Sequence, residues 1–519
     1  MSFLRASRVS PASQAKGAQT VPYTVPAPTG GLNAREGFTQ MAPNDAVTLT
    51  NWFPEAQYVA VRNGSASWIG GMGASTTVQS LIPWYNPAGS DKMFAAAGTK
   101  IYDVSNSGGS ASSVVTGLTT AIFQWTNFTT PGGSFLVACN GVDHVQNYNG
   151  TTWTNPSITG VADTTLIGVT PFMNRLWFIQ TNTLNLYYLG TQSISGAATQ
   201  FPLGSVFRLG GQIMAIGDFS YDAGDGQYAY FVIITSNGEV AVYQGTDPSS
   251  ITTWNLVGVY RTANPITRRC IIRLNGDLGI LTVDGVISLR GLLQFDRSSD
   301  QKAAVTGKIQ TLFSTLAQSY SANVGWDMML YPQARYLIVN VPVVSNSQQI
   351  QLVMNTVTGA WCKFTGLNAW CWGTANGLLY FGGNNGTVYQ ANTGTTDSSA
   401  TITATLQTAW NLLGSPEKKM APQVKPIMPS GGGMSYTLGV NWDFDTTVPV
   451  NSVTVPTVAG AVWPMTWPWT WGGTQMISNQ WQAAGGLGTW ASISLVTTAN
   501  TAATLDAFSV RVQPGMGMP

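Results

Sequence analysis

Charged side chains are scarce in this chain of 519 residues. Lysine, arginine, aspartate and glutamate make up 9% of the sequence, against roughly 25% in an average soluble protein. The formal net charge is +1, so the composition gives no overall attraction to nucleic acid or to an anionic membrane. The surface must be built from Ser, Thr, Asn, Gln and Gly. Such a surface is weakly solvated, which suits a subunit that is held in an assembly.

Histidine is almost absent, which excludes several kinds of site. The one histidine is His144, so neither an HExxH motif nor a multi-histidine metal site can form. Beside Asp143, it is more typical of a loop residue than of a general base. The sequence has no phosphate-binding GxxxxGK[ST] loop and no GxSxG elbow. We expect no enzyme activity, no catalytic residues, no cofactor and no metal. Two alternatives stay open: a carboxylate pair for glycoside cleavage, and calcium at Asp222 and Asp225.

Cysteines and long apolar runs are also few. Cys139, Cys270, Cys362 and Cys371 show no CxxC spacing, and we expect buried free thiols, as in a protein made in a cytosol. No run of 18 apolar residues exists, and the first residues lack the apolar core of a signal peptide. We therefore expect that this chain does not insert into a membrane.

One hairpin pattern recurs along the chain. Phe231 to Thr235 is an apolar strand, Asn237-Gly238 is a turn, and Glu239 to Gly245 is a second strand with two largely apolar faces. An Asn-Gly turn suits a two-residue hairpin in which both central residues have positive φ. A strand with two apolar faces needs covering on both sides. Similar turns place glycines at five positions: 98, 141, 238, 285 and 386.

The spacing of these turns predicts the fold class. The steps between the glycines are 43, 97, 47 and 101 residues, and weaker turns near Asn182 and Pro332 fill the two long gaps. Short strands repeating every ~40–50 residues are typical of propeller blades. We predict an all-β protein with a β-propeller of about seven blades, an additional C-terminal β-sandwich-like domain and few helices. Residues 1–59 would form an N-terminal arm and a short helix, 60–400 the propeller and 401–519 the C-terminal domain.

Two helices are expected. Asn44 or Asp45 would cap a short one that Pro54 stops. The other is an insertion near 300–319, running from Asp300 to about Ser319, with one apolar face. That face comprises Val305, Ile309, Leu312, Phe313 and Leu316.

Two segments are candidates for subunit or partner contacts. Residues 1–29 contain Arg5 and Arg8 and no acid; they form either a disordered tail or an arm that lies on a neighbouring subunit. Trp467, Trp469 and Trp471 alternate, so a strand would present them on one face. Core packing, a docking stripe and a sugar-stacking platform are the three interpretations of that face.

Two groups of residues resemble one known family. The first comprises Gly30-Gly31-Leu32-Asn33, Asp45-Ala46, Leu49, Asn51, Phe53-Pro54 and Arg62-Asn63-Gly64. The second comprises Tyr331-Pro332, Leu337 to Pro342, Val353 to Cys362, Trp370-Cys371-Trp372 and Leu379 to Ala391, together with Leu412 to Lys419 beyond it. Both are similar to the tail proteins of short-tailed bacteriophages, called packaged-DNA stabilisation protein, tail hub or tail nozzle. The resemblance runs from residue 30 to the C-terminus and is most specific in the last blades.

The resemblance implies a structural role. The expected protein is a virion tail subunit, made in a bacterial cytoplasm, that forms a hexameric ring around the DNA exit channel below the portal and adaptor. The ring would retain packaged genome, let double-stranded DNA pass without specific binding, and dock fibres, spikes or a needle. The alternative is a propeller lectin or glycan-degrading tail protein that acts on host polysaccharide.

Overall fold

A computed structural model gives the fold of the chain. It describes residues 20–222, 227–250, 252–274, 276–294, 304–430, 435–447, 452–454, 476–478 and 481–514. Short strands dominate throughout, as the composition in Val, Ile, Thr and aromatic residues favours.

The N-terminal segment consists of strands. They are β1 Val21–Pro26, β2 Gly31–Leu32, β3 Asp45–Thr50, β4 Trp52–Pro54, β5 Val59–Val61 and β6 Ser65–Ile69. The helix predicted after Asn44 or Asp45 is therefore wrong. Ala46 and Leu49 are buried, and pairing of β3 with strands on both sides outweighs the local capping signal.

Seven groups of three or four antiparallel strands follow one another along the chain, and each group forms one blade of a propeller. Blade 1 contains β7 Val78–Trp84, β8 Lys92–Ala97, β9 Lys100–Asp103 and β10 Ser112–Thr116. Blade 2 contains β11 Gln124–Thr130, β12 Gly133–Cys139, β13 Gln146–Tyr148 and β14 Trp153–Thr154. Blade 3 follows β15 Ile158–Thr159 and contains β16 Leu166–Phe172, β17 Arg175–Gln180, β18 Asn185–Tyr188 and β20 Thr199–Pro202, while β19 Gly196–Ala197 pairs with β15.

The remaining blades continue the same order. Blade 4 contains β21 Ile213–Asp222, β22 Gln227–Thr235, β23 Glu239–Gly245 and β24 Trp254–Arg261, and blade 5 contains β25 Ile271–Leu274, β26 Asp277–Thr282 and β27 Gly285–Ser288. Blade 6 contains β28 Asp327–Tyr331, β29 Tyr336–Val344, β30 Gln348–Asn355 and β31 Trp361–Phe364. Blade 7 contains β32 Cys371–Ala375, β33 Leu378–Gly382 and β34 Val388–Ala391. The prediction of an all-β propeller with about seven blades is confirmed.

The last blade is completed from the other end of the chain. Its fourth strand is β6, which lies before blade 1 in the sequence and pairs antiparallel with β34, with Ser65 opposite Ala391. The first strands of blades 7 and 1, β32 and β7, lie side by side. The ring is thereby closed by hydrogen bonds between residues that are far apart in the sequence.

Each blade covers its neighbours on both faces. Phe231 and Ile233 of β22 enter the core between blades 3 and 4, whereas Val232 and Ile234 enter the core between blades 4 and 5. On β23, Ala241 and Tyr243 face one core and Val240 and Val242 the other. This confirms that the two apolar faces of the hairpin are both buried.

The hairpin turns differ from the expected type. All five turn glycines have positive φ, but Asn140, Asn237, Asp284 and Asn385 do not. Only one residue of each turn is left-handed, so the two-residue turn with two positive φ values is wrong. In blade 4 the amide of Gly238 donates to the carbonyl of Thr235 at 3.2 Å. The glycine supplies the reversal, and the asparagine keeps an ordinary backbone conformation.

The turn at Pro332 occupies another position in its blade. The five glycine turns and Asn182 join the second and third strands of their blades, whereas Pro332–Ala334 is a 3-10 turn between the first and second strands, β28 and β29. The turn at Pro332 therefore fits the spacing of the other turns in the sequence, but it comes one strand earlier in its blade than they do.

Two helices lie beside blade 5. α1 is Leu289–Gln294, and α2 is Gln310–Tyr320, preceded by a 3-10 turn at Gly307–Ile309. Ile309 and Phe313 are buried, with Val305, Leu312 and Leu316 packed against the same core, so the predicted apolar face is confirmed. The start at Asp300 is not, since Asp300 lies outside the described residues and Ala304 bridges to Ile287 in extended backbone.

Most of the C-terminal strands pair in two groups that include N-terminal strands. The strand that follows the propeller is β35 Thr396–Asp397. The C-terminal strands after it are β36 Ala400–Thr408, β37 Lys419–Ser430, β38 Ser435–Trp442, β39 Ser452–Thr454, β40 Met476–Ser478, β41 Gln482–Ala483, β42 Leu487–Gly488, β43 Ala491–Ala499, β44 Thr504–Leu505 and β45 Ala507–Pro514. One group is a sheet with the order β1-β45-β37-β40. The other group, β3-β36-β43-β38-β39, is continuous with blade 6 because β3 also pairs with β31. Val25, Val424, Phe508, Leu438 and Leu495 share one core, which makes this region a sandwich completed by N-terminal strands.

The four cysteines are free and buried, as expected from their spacing. Burial raises the pKa of the Cys270 and Cys371 thiols to about 12, and it also raises the pKa of Cys139 and Cys362.

We therefore predict that the folded protein is inert to a thiol reagent at pH 8, because the nucleophilic thiolate is both rare and inaccessible. Titration with Ellman's reagent checks this. Four equivalents should react in guanidinium chloride and none within the same time in buffer. One rapidly reacting thiol in the native protein would contradict the buried placement.

Candidate functional site: the propeller axis and its junction with the sandwich

The first strands of all seven blades converge on a central cavity of about 600 Å³. It is lined, blade by blade, by Leu81, Thr126, Val169, Ile216, Ile271, Asp327 and Trp372. A second, more apolar cavity of about 300 Å³ lies at the end where these strands begin. Arg268 and Arg269 line both cavities, so they lie between the two ends of the axis.

Arg269 crosses the propeller axis. It precedes β25 of blade 5, and its Nη2 donates to the carbonyls of Gln79 and Phe123, both at 3.0 Å, and to Ser80 Oγ at 2.8 Å. Its guanidinium also lies 5.8 Å from the ring centre of Trp370. One side chain thus contacts blades 1 and 2 and the entrance to blade 7. A conduit that one arginine spans is too narrow for a DNA duplex.

Asp327 balances the charge of Arg269. Its Oδ2 lies 3.7 Å from Arg269 Nη1, and the two oxygens accept the backbone N–H groups of Met328 at 3.0 Å and Trp372 at 3.3 Å. Burial raises the pKa of Asp327, while Arg269 and the two backbone groups oppose that rise. The carboxylate therefore links blade 6 to blade 7 and to the arginine from blade 5.

Two other arginines complete the charged lining. Arg273 pairs with Asp218 of blade 4. Arg268 has neutral acceptors: Nη1 donates to the carbonyl of Ile213 at 3.0 Å, and Nη2 donates to Gln212 Oε1 at 3.1 Å. Burial lowers the pKa of Arg268, as expected where a cation is withdrawn from water.

The junction between propeller and sandwich is polar and uses residues of the N-terminal segment from Gly30 to Arg62. Lys308 Nζ donates to the carbonyl of Gly30 at 2.7 Å and lies 2.6 Å from Asp45 Oδ1. The other oxygen of Asp45 accepts from Asn33 Nδ2 at 2.7 Å. Strand β3 is thereby fixed to the segment that begins α2.

A second connection centres on Arg62, which is 3% exposed. Its guanidinium forms a bidentate pair with Asp397 at 3.0 and 2.5 Å, and its Nε donates to Asn51 Oδ1 at 2.9 Å. Asn51 in turn donates to the carbonyl of Thr403 at 2.8 Å and accepts the amide of Thr365 at 2.9 Å. Blade 6, the ring-closing segment and the sandwich meet at this group.

The other predicted sites are not brought together. His144 is exposed and its Nδ1 lies 2.9 Å from Asp163. Arg5, Arg8, Trp467, Trp469 and Trp471 lie outside the described residues, as does the Asp225 part of the calcium candidate. Within the described ranges, no three His, Cys, Asp or Glu side chains group as metal ligands do. In the same part of the chain, no helix is long and apolar enough to cross a membrane.

Comparisons with known proteins add little to this geometry. No protein-family model and no curated protein matches the sequence. Three solved structures share 8–11% identity: the computationally designed Ika8 protein (TM-score 0.35), BBS1N in complex with ARL6DN (0.39), and YCF48 bound to D1 peptide (0.34). They match 63–65% of this chain and 96–99% of their own. The propeller assignment therefore rests on the strand pairing.

Sequence reasoning missed the axial residues. Arg268-Arg269 stands just before β25, and two adjacent arginines in a chain with 23 Lys and Arg residues are a detectable signal. Their partners in blades 1, 2, 4 and 6 are distant in sequence. The pairing is thus a property of the closed ring that local patterns do not contain.

We predict that Arg269→Met destabilises the protein by roughly 3–5 kcal/mol, since it leaves a buried carboxylate unpaired. Asp327→Asn should restore part of that loss in the double variant, giving a coupling free energy of roughly 1 kcal/mol or more. Chemical denaturation followed by tryptophan fluorescence measures both. Additive single effects would show that the two groups do not interact.

The same pair sets a pH dependence. A carboxyl whose folded pKa is raised stabilises the protein most below its ordinary pKa of 3.8, and this contribution is lost as the pH rises through the raised value. The free energy of unfolding of Asp327→Asn, minus that of the wild type, should therefore increase from pH 4 towards neutrality.

We further predict that Arg62→Met costs roughly 3–5 kcal/mol, because Asp397 and Asn51 lose their shared partner. Arg335→Met is the matched control, since Arg335 pairs with Glu55 but is 48% exposed and should cost roughly 0–1 kcal/mol. Urea denaturation of both variants provides the test. Equal costs would mean that the Arg62 connection does not hold the two regions together.

Proposed function

We propose that this protein is a structural subunit of a short bacteriophage tail, one copy of a ring that surrounds the DNA exit channel. In this role the ring retains the packaged genome, later lets it pass, and joins the portal or adaptor to fibres, spikes or a needle. The proposal starts from the resemblance of the N-terminal group and of the last blades to tail nozzle or hub proteins.

The observation that carries the proposal is the position of the N-terminal residues that resemble tail nozzle or hub proteins. Asn33, Asp45, Asn51 and Arg62 hold the propeller, the ring-closing strand and the sandwich in one arrangement. They build a joint rather than a reaction centre. A subunit that must transmit force between neighbours in a tail needs such a joint, because separate domains would otherwise move independently.

The blocked axis supports the same role. Because Arg269 bridges the propeller bore, a DNA channel would have to lie between subunits and not through one of them. A low density of fixed charge suits such a channel, since each phosphate contact adds affinity and slows sliding. Retention would then be steric.

The surface offers material for subunit contacts. The last strand of blade 4, β24, exposes Leu256, Val257 and Val259 by 40–47%. Exposed apolar strand edges favour association with another chain. In the proposed ring, contacts of this type operate together with Trp467, Trp469, Trp471, Arg5 and Arg8.

Native mass spectrometry and electron microscopy of the purified full chain test the proposal. We expect closed six-membered rings, and weak binding to duplex DNA at physiological salt. Trp469→Ala should reduce ring formation while the monomer stays folded, whereas Tyr85→Ala, which removes an aromatic side chain 44% exposed on blade 1, should not.

Several results would contradict the proposal. They are a monomer at all concentrations, nanomolar affinity of the ring for DNA, or hydrolysis of a host polysaccharide. A monomer that binds glycans would favour the lectin alternative, for which the polar hollow of about 310 Å³ lined by Asn384, Tyr389 and Asp397 offers a place.

A further inference from the structure

The axial cavity carries one more positive than negative group. Its charged lining consists of Arg268, Arg269, Arg273, Asp218 and Asp327. Arg269 pairs with Asp327 and Arg273 pairs with Asp218. Among the residues that the structure describes, no carboxylate lies within ion-pair distance of Arg268. The surplus of one charge is thus located on a particular side chain.

Arg268 has hydrogen-bonding capacity left. A guanidinium has five N–H donors, and the described acceptors of Arg268 are the carbonyl of Ile213 and Gln212 Oε1. Both acceptors are neutral, and the side chain borders both axial cavities. A partly desolvated cation with free donors and no counter-charge is stabilised by an anion.

The walls around Arg268 select the rest of the ligand. Val169, Ile216 and Ile271 supply apolar surface in the cavity of about 600 Å³, a volume within the range of small-molecule sites. One surplus charge matches a monoanion better than a dianion. The planar fork of the guanidinium also fits a carboxylate with two parallel hydrogen bonds.

We propose that the axial cavity binds a monocarboxylate, with the carboxylate on Arg268 and an apolar body against Val169, Ile216 and Ile271. The carboxylate belongs either to a free small acid or to an acidic residue of a peptide that enters the axis. This site is independent of the proposed tail role, since it lies inside one subunit.

A purely structural role for Arg268 makes a different prediction. If the arginine serves only to fix Gln212 and Ile213 at the entrance of blade 4, added carboxylates will not bind, and a neutral analogue will behave like an acid. A pair of isosteric probes, one charged and one neutral, separates the two roles.

Isothermal titration calorimetry of the full chain in low-chloride buffer is the test. We expect one benzoate per chain, and benzamide at least tenfold weaker. Arg268→Met should weaken benzoate at least tenfold, whereas Arg208→Met, which alters an exposed arginine on a propeller loop, should leave it unchanged. A short peptide ending in glutamate is the second arm. If the peptide binds more tightly than benzoate and Arg268→Met abolishes that binding, the natural ligand is an acidic residue of a peptide and not a free small acid.

A second variant keeps the test decisive if Arg268→Met does not fold. Thr126→Phe places a bulky ring at the wall of the same cavity and keeps every charge, so it should also weaken benzoate binding. The proposal is overturned if the wild type binds neither probe, if benzoate and benzamide bind equally, or if the affinity for benzoate is the same in Thr126→Phe as in the wild type.

Discussion

The fold depends on the fact that a strand with two apolar faces cannot be left half covered. Burying such faces contributes ~25 cal/mol per Å², and each blade of this protein provides the cover for the next. A row of blades would still leave an uncovered face at both ends. Closing the row into a ring removes both ends at once, and β6, paired with β34, fixes that closure.

The sequence predicted the repeating unit well and the connections poorly. The apolar strands of the β22–β23 hairpin and the regular spacing of turn glycines were sufficient for the propeller, because both are local properties. The helix predicted after Asn44 was wrong. The residues there can cap a helix, but they form β3 because they pair with β31 and β36, which lie hundreds of residues away in the sequence. The turn at Pro332 was found, but the periodicity that singled it out does not specify which two strands of a blade the turn joins.

The candidate site lay largely beyond sequence reasoning for the same reason. Arg269 acquires its role from Gln79, Phe123 and Asp327, which meet only when the ring is closed. Asn33, Asp45, Asn51 and Arg62 were noticed through a resemblance, but their shared use as a joint became visible through their hydrogen bonds. Both groups lie within one copy: the joint connects the propeller to the sandwich, and Arg269 bridges the propeller axis.

The N-terminal segment also constrains how the molecule is made. Strands β1, β3 and β6 all pair with strands that come from the last third of the chain, β45, β36 and β34. A ribosome delivers those partners hundreds of residues later, so the nascent chain emerges with three unsatisfied strands. Blades 1 to 4 can assemble in the meantime from neighbouring hairpins, whereas closure of the ring waits until β34 has been synthesised. Completion of the fold is thereby tied to the synthesis of β34, β36 and β45.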